Sequence, residues 1–133
     1  MNIRVLTEED YDTIMEWWTR WEWPVLPRHM LPDNGKSGYM VEKDDKLIVC
    51  GFLYLTNSKV AWLEWIVSNP DYREKDRKEA IEMLINHIEK DSVTLGITHI
   101  LSLTKSKSLL DTHEKLGWGV DRTPSYEIIK KIQ

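Results

Sequence analysis

The stretch W-L-E-W-I-V-S-N-P-D-Y-R-E-K-D-R-K-E-A-I-E-M-L-I-N-H-I, residues 62–88, decides the fold, because a buried strand in it leads directly into an amphipathic helix. Residues 62–67 are apolar except for Glu64, as is typical of a strand covered on both sheet faces. From Ala80 onward the apolar residues recur at helical spacing, which predicts one buried stripe. Such a joint exposes backbone N–H groups at the positive end of the helix dipole, where phosphates are commonly held.

The loop of this joint resembles a motif of a known family. The run V-S-N-P-D-Y-R-E-K-D-R-K, residues 67–78, is similar to the strand-loop-helix signature of the GNAT superfamily of N-acetyltransferases. That signature reads Val-x-Pro, then Arg or Gln, followed three and five residues later by Gly and by Gly or Ala. Val67, Pro70 and Arg73 match it. The resemblance implies that backbone amides of this loop bind the pyrophosphate of acetyl-coenzyme A.

The sequence departs from the signature at its glycines. Asp76 and Lys78 stand at the two small positions, and Glu74 stands at a further frequent Gly. A bulky residue blocks close approach of the backbone, and a carboxylate ~4 Å from a phosphate costs ~1–4 kcal/mol per charge pair. Four cations of the same segment favour phosphate binding and complete the predicted cofactor site: Arg73, Lys75, Arg77 and Lys78.

The same residues also fit a purely structural helix start. Asn69 is a preferred N-cap residue, Pro70 suits the first helical position, and Asp71 suits the first turn. Two ordinary i,i+4 ion pairs would then lie on a solvated face: Glu74 with Lys78, and Lys75 with Glu79. A cofactor loop and a structural helix start are therefore the two alternatives for this segment.

A second stretch, S-K-S-L-L-D-T-H-E-K-L-G-W at residues 106–118, resembles the second motif of the same superfamily. In that motif an Asn opens a helix that ends in Tyr-Glu-Lys-x-Gly-Phe. Ser106 stands at the Asn, His113 at the Tyr and Trp118 at the Phe. Three residues match directly: Glu114, Lys115 and Gly117. The resemblance implies that Ser106 contacts the cofactor and that His113 faces the thioester sulfur.

The remaining segments follow the element order of the same fold. Two strand-like segments, Gly38–Lys43 and 47–55, are joined by the polar turn K-D-D-K, and a second turn leads to a strand at residue 60. The other predicted elements are a strand at 3–5, a helix after the capping-box-like start at 7–10, a strand over 99–104, a helix over 106–116, and a closing strand over 126–132. The order β-α-β-β-β-α-β-α-β predicts a GNAT-like α/β (α+β) fold. Its sheet is expected to be mixed and mostly antiparallel, with helices on both faces, in one domain over residues 1–133.

Acetyl transfer to an amine, the activity that the resemblance implies, needs a base for the ammonium, backbone N–H groups for the oxyanion, and an acid for the thiolate. Glu64 is the predicted base, because burial in the central strand would raise its pKa. The alternatives are a Glu at a solvated strand end and a Glu paired with a neighbouring Lys or Arg. The resemblance assigns the amides of Ile66 and Val67 to the oxyanion and His113 to the acid, the alternative being a surface histidine.

Four of the seven tryptophans fall within residues 17–23, which is more aromatic surface than one helix stripe can bury. One interpretation places Trp18 and Trp21 in the core, with Trp17 and Trp23 packed under the Pro-rich loop that follows. The other is an apolar acceptor pocket or a protein-docking patch. The resemblance implies that this segment and its loop form the acceptor wall, and the predicted substrate-binding residues are Trp21, Trp23, Arg28 and His29.

Composition sets limits on the remaining functions. The chain has 133 residues, 41% hydrophobic and 30% charged, which is enough for one core without disulfides or a metal. A net charge of -4 gives no footprint for nucleic acid or for an anionic membrane. Cys50, the single cysteine, lies in an apolar run and is predicted to be buried, and the histidines show no metal-ligand spacing. Without a signal peptide or a long apolar run, the chain is expected in the cytoplasm.

Three functions remain open from the sequence. The first is an acyltransferase that uses acetyl-coenzyme A on a small-molecule or protein amine. The others are an inactive GNAT-fold protein that binds through its Trp-rich surface, and an assembly component. Open strands beside Val67 with free amides at 71–76 would favour the first, and a helix beginning at Pro70 in a closed sheet would favour the others. Exposed tryptophans or an unpaired closing strand would favour a homodimer.

Overall fold

The computed structural model describes all 133 residues and contains five strands and three α-helices. The elements in chain order are β1 (Asn2–Val5), α1 (Asp10–Arg20), β2 (Gly38–Lys43), β3 (Lys46–Leu55), β4 (Val60–Ser68), α2 (Arg77–Thr94), β5 (His99–Leu101) and α3 (Lys107–Lys115). Two short 3-10 turns, Arg28–Met30 and Pro32–Gly35, lie in the loop between α1 and β2. No helix combines the length and the apolar content needed to cross a membrane.

The five strands form one sheet in the order β1-β2-β3-β4-β5. Every neighbouring pair is antiparallel except β4 with β5, which run parallel. The β2–β3 hairpin turns at Asp44 and Asp45, both with positive φ (50° and 62°), as a tight two-residue turn requires. These observations confirm the predicted mixed, mostly antiparallel sheet.

Helices cover both faces of the sheet, because side chains alternate between the faces along each strand. On one face, α1 packs its buried Trp18 against a cluster that includes Met40 and Phe52. On the other face, α2 packs Leu84 and its apolar neighbours against a cluster of strand residues. Cys50 is buried as predicted, and burial raises the pKa of its thiol far above the ordinary range. We call the two sides of the sheet the α1 face and the α2 face, after the helix that covers each.

A β-bulge interrupts the pairing of β3 with β4. Cys50 lies opposite Val67 and Phe52 lies opposite Glu64, so two steps along β3 span three steps along β4. Trp65 takes up the extra residue with φ at 59°, a left-handed backbone conformation that is rare for a bulky side chain. Because a bulge bends and twists its strand, β4 changes direction in its second half.

The predicted closing strand is wrong. Residues 126–132 have no regular secondary structure, and their apolar side chains are exposed. The alternating pattern describes strand propensity correctly, but the segment makes no backbone hydrogen bond that would join it to the sheet. The strand predicted over 99–104 is also shorter, ending at Leu101.

Candidate functional site

The sheet opens between β4 and β5. The parallel pairing covers only Val60 to Trp62 on β4 and His99 to Leu101 on β5, after which the two strands separate. From Leu63 onward, the β5-facing edge of β4 has no strand partner. The predicted oxyanion residues Ile66 and Val67 lie on this open stretch. The structure therefore has the open strands that the sequence analysis associated with an enzyme.

Glu64 lies at the point where the strands separate, and its carboxylate spans the gap. Its Oε1 accepts a hydrogen bond from the backbone N–H of Leu103 at 3.1 Å. Burial raises the pKa of Glu64 from an ordinary value of 4.5 to about 7, against the opposing effect of the Leu103 N–H and with a further increase from Glu127. No Lys or Arg forms an ion pair with Glu64, so the alternative of a salt-bridged Glu is wrong. A half-buried carboxyl group with a pKa near neutrality suits a general base.

Two aromatic residues that the sequence analysis did not select lie on the α1 face beside Glu64. Trp65 donates its indole N–H to the hydroxyl of Tyr54 at 3.1 Å, and that hydroxyl donates to the carbonyl of Met30 at 3.0 Å. The charge of Glu64 is close enough to contribute to the raised pKa of Tyr54, although burial is the larger cause. Alternation along β3 predicts the face of Tyr54, but the bulge that turns Trp65 to the same face leaves no signal in the sequence.

The segment between β4 and α2 is a loop, and the helix begins at Arg77 rather than at Pro70. Asn69 caps a turn here and not a helix, because its Oδ1 accepts from the Asp71 N–H at 2.9 Å and its carbonyl accepts from the Tyr72 N–H at 3.1 Å. The alternative of a structural helix start at Asn69 and Pro70 is therefore wrong. The two i,i+4 ion pairs that it implied do not form either, since Glu74 and Lys75 precede the helix.

Several backbone N–H groups of this loop have no hydrogen-bond acceptor in the protein. The N–H groups of Arg73, Glu74 and Lys75 donate to no protein acceptor, and neither do those of Lys78 and Glu79 in the first turn of α2. No side chain caps the helix. These unpaired donors at the positive end of α2 form an environment that suits an anion.

The side chains of the loop are arranged around the carboxylate of Asp76. Lys43 of β2 contacts Asp76 at 2.7 Å, and the hydroxyl of Tyr72 donates to it at 2.7 Å. The side-chain hydrogen bond from Lys43, followed by that from Tyr72, lowers the pKa of Asp76 below its ordinary value. The two contacts hold the loop in place through Asp76. The positive charge of Lys43 offsets the negative charge of the Asp76 carboxylate, which weakens its repulsion of a phosphate.

The cations of the predicted cofactor site lie on both sides of this anchor. Arg73, Lys75 and Lys78 are exposed, and Arg77 is half-buried. The Nη1 group of Arg77 is buried without an acceptor, which is a costly state for a guanidinium N–H. Clefts of about 400 and 460 Å³ lie against the loop, both lined by Tyr72 and Glu74.

The two predicted residues of the second motif have defined partners in α3. Ser106 is the N-cap, and its Oγ accepts from the Leu109 N–H at 3.2 Å. His113 is buried and not on the surface, so its surface alternative is wrong. Its Nδ1 lies 2.8 Å from the Leu109 carbonyl, its ring packs edge-on against Trp118, and its Nε2 has no partner.

The tryptophan cluster divides differently from the sequence interpretation. Trp17 and Trp18 are buried, whereas Trp21 and Trp23 are each 37% exposed. One of the two interpretations placed Trp21 in the core, and it is wrong for this residue. Helix α1 ends at Arg20, and the Trp21 indole N–H donates to the Ser68 carbonyl at the end of β4 (2.8 Å). Trp21 therefore lies near the loop before α2, and not beside Glu64.

The two predicted loop residues lie apart from Trp21. Arg28 stacks over the Tyr11 ring, with the guanidinium carbon 4.3 Å from the ring centroid, and His29 is exposed. His29 precedes Met30, whose carbonyl accepts from Tyr54. The structure thus links the loop of His29 to the α1-face aromatics, while Arg28 is engaged by Tyr11.

No known family model and no curated protein matches the sequence. Solved structures match the fold: one described as a probable acetyltransferase aligns over 100% of both chains with a TM-score of 0.72 at 16% identity. N-acetylglutamate synthase from Neisseria gonorrhoeae, complexed with coenzyme A and L-arginine, aligns over 93% of this chain and 29% of that chain (TM-score 0.73, 16% identity). The ribosomal-protein-S18-alanine N-acetyltransferase from Escherichia coli aligns over 87% of this chain and 76% of that chain (TM-score 0.69, 16% identity).

Proposed function

We propose, from the GNAT fold that this chain shares with those acetyltransferases, that the protein transfers an acetyl group from acetyl-coenzyme A to an amine. The observation that carries the proposal is the row of unpaired backbone N–H groups from Arg73 to Lys75, just before the start of α2. A loop that leaves its donors unpaired beside a helix N-terminus suits a pyrophosphate.

Cofactor binding at this loop does not require the glycines of the family signature. The carboxylate of Asp76 is held by Lys43 and Tyr72, so it does not act as a free negative charge at the site. The buried N–H of Arg77 lacks an acceptor that a phosphate oxygen would provide. Exposed Lys75 and Arg73 add positive charge at the loop. The chemistry of this donor set fits the diphosphate of coenzyme A.

Glu64 is the proposed base for the acceptor. The acceptor amine arrives as an ammonium ion, and Glu64 with a pKa of about 7 takes its proton, directly or through one water. The neutral amine nitrogen then forms a bond to the thioester carbon, and the carbon–sulfur bond breaks as the intermediate collapses and releases the thiolate. The nitrogen loses its remaining extra proton to solvent, which leaves the neutral amide. The backbone N–H groups of Ile66 and Val67 are the proposed donors to the oxyanion, because both residues follow Glu64 on the open stretch of β4.

His113 is the proposed acid for the leaving thiolate. Its Nδ1 is engaged by the Leu109 carbonyl, which leaves Nε2 as the ring nitrogen without a partner. To act as the acid, the ring must be the imidazolium, in which the Nδ1–H donates to the Leu109 carbonyl and the Nε2–H protonates the leaving thiolate. Ser106, at the other end of α3, offers its hydroxyl hydrogen to the cofactor while its oxygen caps the helix.

The acceptor is a small-molecule or protein amine that approaches on the α1 face, where Glu64 lies with Tyr54 and Trp65. The loop that carries Arg28 and His29 borders these aromatic residues through Met30. Trp21 and Trp23 complete the proposed wall on the side of the cofactor loop. Aromatic side chains suit an amine acceptor, because a cation is attracted to a ring face.

The test is a titration of the purified protein with acetyl-coenzyme A, followed by calorimetry and by tryptophan fluorescence. We expect a dissociation constant in the micromolar range. Lys75→Glu should weaken binding about tenfold or more, because it removes a charge-assisted contact and adds a repulsive one. Lys90→Glu is the matched control, since it makes the same change at an exposed position far along α2 and should leave the affinity unchanged.

Absence of binding at millimolar cofactor would overturn the proposed function. Equal weakening by Lys75→Glu and Lys90→Glu would mean that only the net charge of the protein matters, and the loop would lose its assigned role. If binding is confirmed, a screen of small-molecule and peptide amines with thiol release as the readout would identify the acceptor class.

A further inference from the structure

Large apolar side chains surround Glu64 on the α1 face. Strand alternation places Trp62 on this face together with Glu64, two residues further along β4. Trp62 lies opposite Tyr54 of β3 on one side and opposite Leu101 of β5 on the other. Cross-strand partners share a face of the sheet, so these three residues and Trp65, which donates to Tyr54, form one apolar wall beside Glu64.

The polar groups of this apolar wall are already paired. The indole N–H of Trp65 donates to the Tyr54 hydroxyl, and that hydroxyl donates to the Met30 carbonyl. The backbone N–H of Leu103 donates to Glu64. A carboxylate bound here would therefore gain no hydrogen bond from these donors in return for the water that it loses.

The charges around Glu64 are negative. No Lys or Arg is among the groups that shift the pKa of Glu64, and the charge that raises it belongs to Glu127. Arg28, in the loop before β2, is held elsewhere: its guanidinium lies over the Tyr11 ring and donates to the Glu8 carbonyl at 3.3 Å. A further carboxylate close to Glu64 would meet like charge without a compensating cation.

We propose that the acceptor is a small primary amine carried on an apolar or aromatic group, with no carboxylate beside the nitrogen. The ammonium group meets Glu64 and the ring faces of the wall, and the apolar part packs against Trp62 and Leu101, which is 44% exposed. An α-amino acid holds its carboxylate two bonds from the same nitrogen, where the wall offers it no partner. A peptide amine adds amide groups that the paired donors cannot satisfy. This inference rests on the proposed function and adds the acceptor class to it.

The test compares three acceptors that share one ring, with thiol release from acetyl-coenzyme A as the readout: phenethylamine, phenylalaninamide and phenylalanine. We expect kcat/KM for phenylalanine to be about 100-fold lower than for phenethylamine, or lower still, because its carboxylate is bound unpaired near Glu64. Phenylalaninamide is the control for size, since a neutral amide replaces the carboxylate. Its kcat/KM should stay within about tenfold of that for phenethylamine.

Leu101→Arg supplies the cation that the apolar wall lacks. The preference for phenethylamine over phenylalanine should fall about tenfold in this variant, because the guanidinium attracts the carboxylate. The ratio of two acceptors within one variant cancels any effect of the new charge on Glu64 itself. Val93→Arg is the matched control, since Val93 is 75% exposed on α2, and it should keep the wild-type ratio.

Equal use of phenylalanine and phenethylamine would overturn the proposal, and so would an unchanged ratio in Leu101→Arg. A faster reaction with an aliphatic diamine such as putrescine, or with a phenylalanyl peptide, than with phenethylamine would assign the site to another acceptor class and also overturn it. Cofactor binding without turnover of phenethylamine or phenylalaninamide would overturn this inference alone. Absence of cofactor binding would overturn the proposed function, and the acceptor class with it.

Discussion

The carboxylate of Glu64 accepts a hydrogen bond from the backbone N–H of Leu103 across the gap where β5 leaves β4 (3.1 Å). The bond links β4 to the chain that follows β5, and it fixes the orientation of Glu64, the proposed base. It also opposes the effect of burial on the Glu64 pKa, which without this N–H would be raised further. Burial, the opposing Leu103 N–H and the nearby charge of Glu127 together place the pKa of Glu64 at about 7.

The first prediction concerns the pH dependence of the rate. Wild-type kcat/KM should rise about tenfold per pH unit below pH 7 and level off above it, because only ionised Glu64 accepts the proton. Glu64→Gln should lower the rate about 100-fold or more and remove this limb of the profile. Circular dichroism of the variant is the control for folding. A variant that keeps wild-type turnover would exclude Glu64 as the base.

A second prediction concerns stability and the same side chain. The folded-state pKa of about 7 exceeds the unfolded value of 4.5, so between these values the folded chain binds more protons and loses stability as pH rises. Glu64→Gln has no proton to lose and keeps an acceptor for Leu103. We therefore expect the variant to gain about 1–3 kcal/mol over wild type at pH 8 and nothing at pH 4. Urea denaturation at both pH values measures this, and a constant difference would contradict it.

The third prediction concerns the contact of Lys43 with Asp76 in the proposed cofactor loop. Lys43→Met leaves the Asp76 carboxylate without its cation, so its charge opposes phosphate binding. The affinity for acetyl-coenzyme A should fall several-fold, and the loss should shrink at high salt. Lys59→Met, at an exposed position before β4, is the control. Equal affinity in the two variants would show that Lys43 does not protect the site from Asp76.

The fourth prediction concerns His113. Phe fills a buried site of similar shape but offers no nitrogen, so His113→Phe should slow the step in which the thiolate leaves while cofactor affinity changes little. An acyl donor with a more acidic thiol should be affected less, because its thiolate leaves without protonation. Thermal unfolding of the variant controls for repacking. An unchanged rate with the natural donor would make His113 a core residue only.

Much of the fold follows from the sequence, because local patterns decide each element. The alternation of β2 and β3, their Asp-Asp turn and the helical stripe of α2 each depend on neighbouring residues, and each appears as predicted. Asn69 and Pro70 left two alternatives open for the start of α2, because an Asn-Pro-Asp run favours a capped turn as much as a capped helix. The loop that forms is held by a local contact of Asp76 with Tyr72 and by a long-range contact of Asp76 with Lys43, which no local pattern indicates.

The candidate site was harder to predict, since it depends on relationships between distant segments. The resemblance to a family pointed to Glu64 and to the loop before α2, and the structure gives both an environment that suits the expected chemistry. The family resemblance gave no indication that Tyr54 and Trp65 meet on the α1 face, or that Trp21 contacts Ser68. The closing strand was predicted wrongly for a related reason. The strand pattern at 126–132 carries no information on whether this segment pairs with an edge of the sheet.

The bulge at Trp65 lies next to the opening in the sheet and depends on a single extra residue. Without residue 65, Glu64 would still lie opposite Phe52 and Val67 opposite Cys50, with every side chain on its present face and an uninterrupted ladder between them. Between these two pairs β4 has one residue more than β3, and the bend that this residue produces lies just beyond the point where β4 separates from β5. Deletion of Trp65 would remove the bulge, together with the edge-on contact of its ring with Trp18, and is expected to straighten the strand that borders the opening.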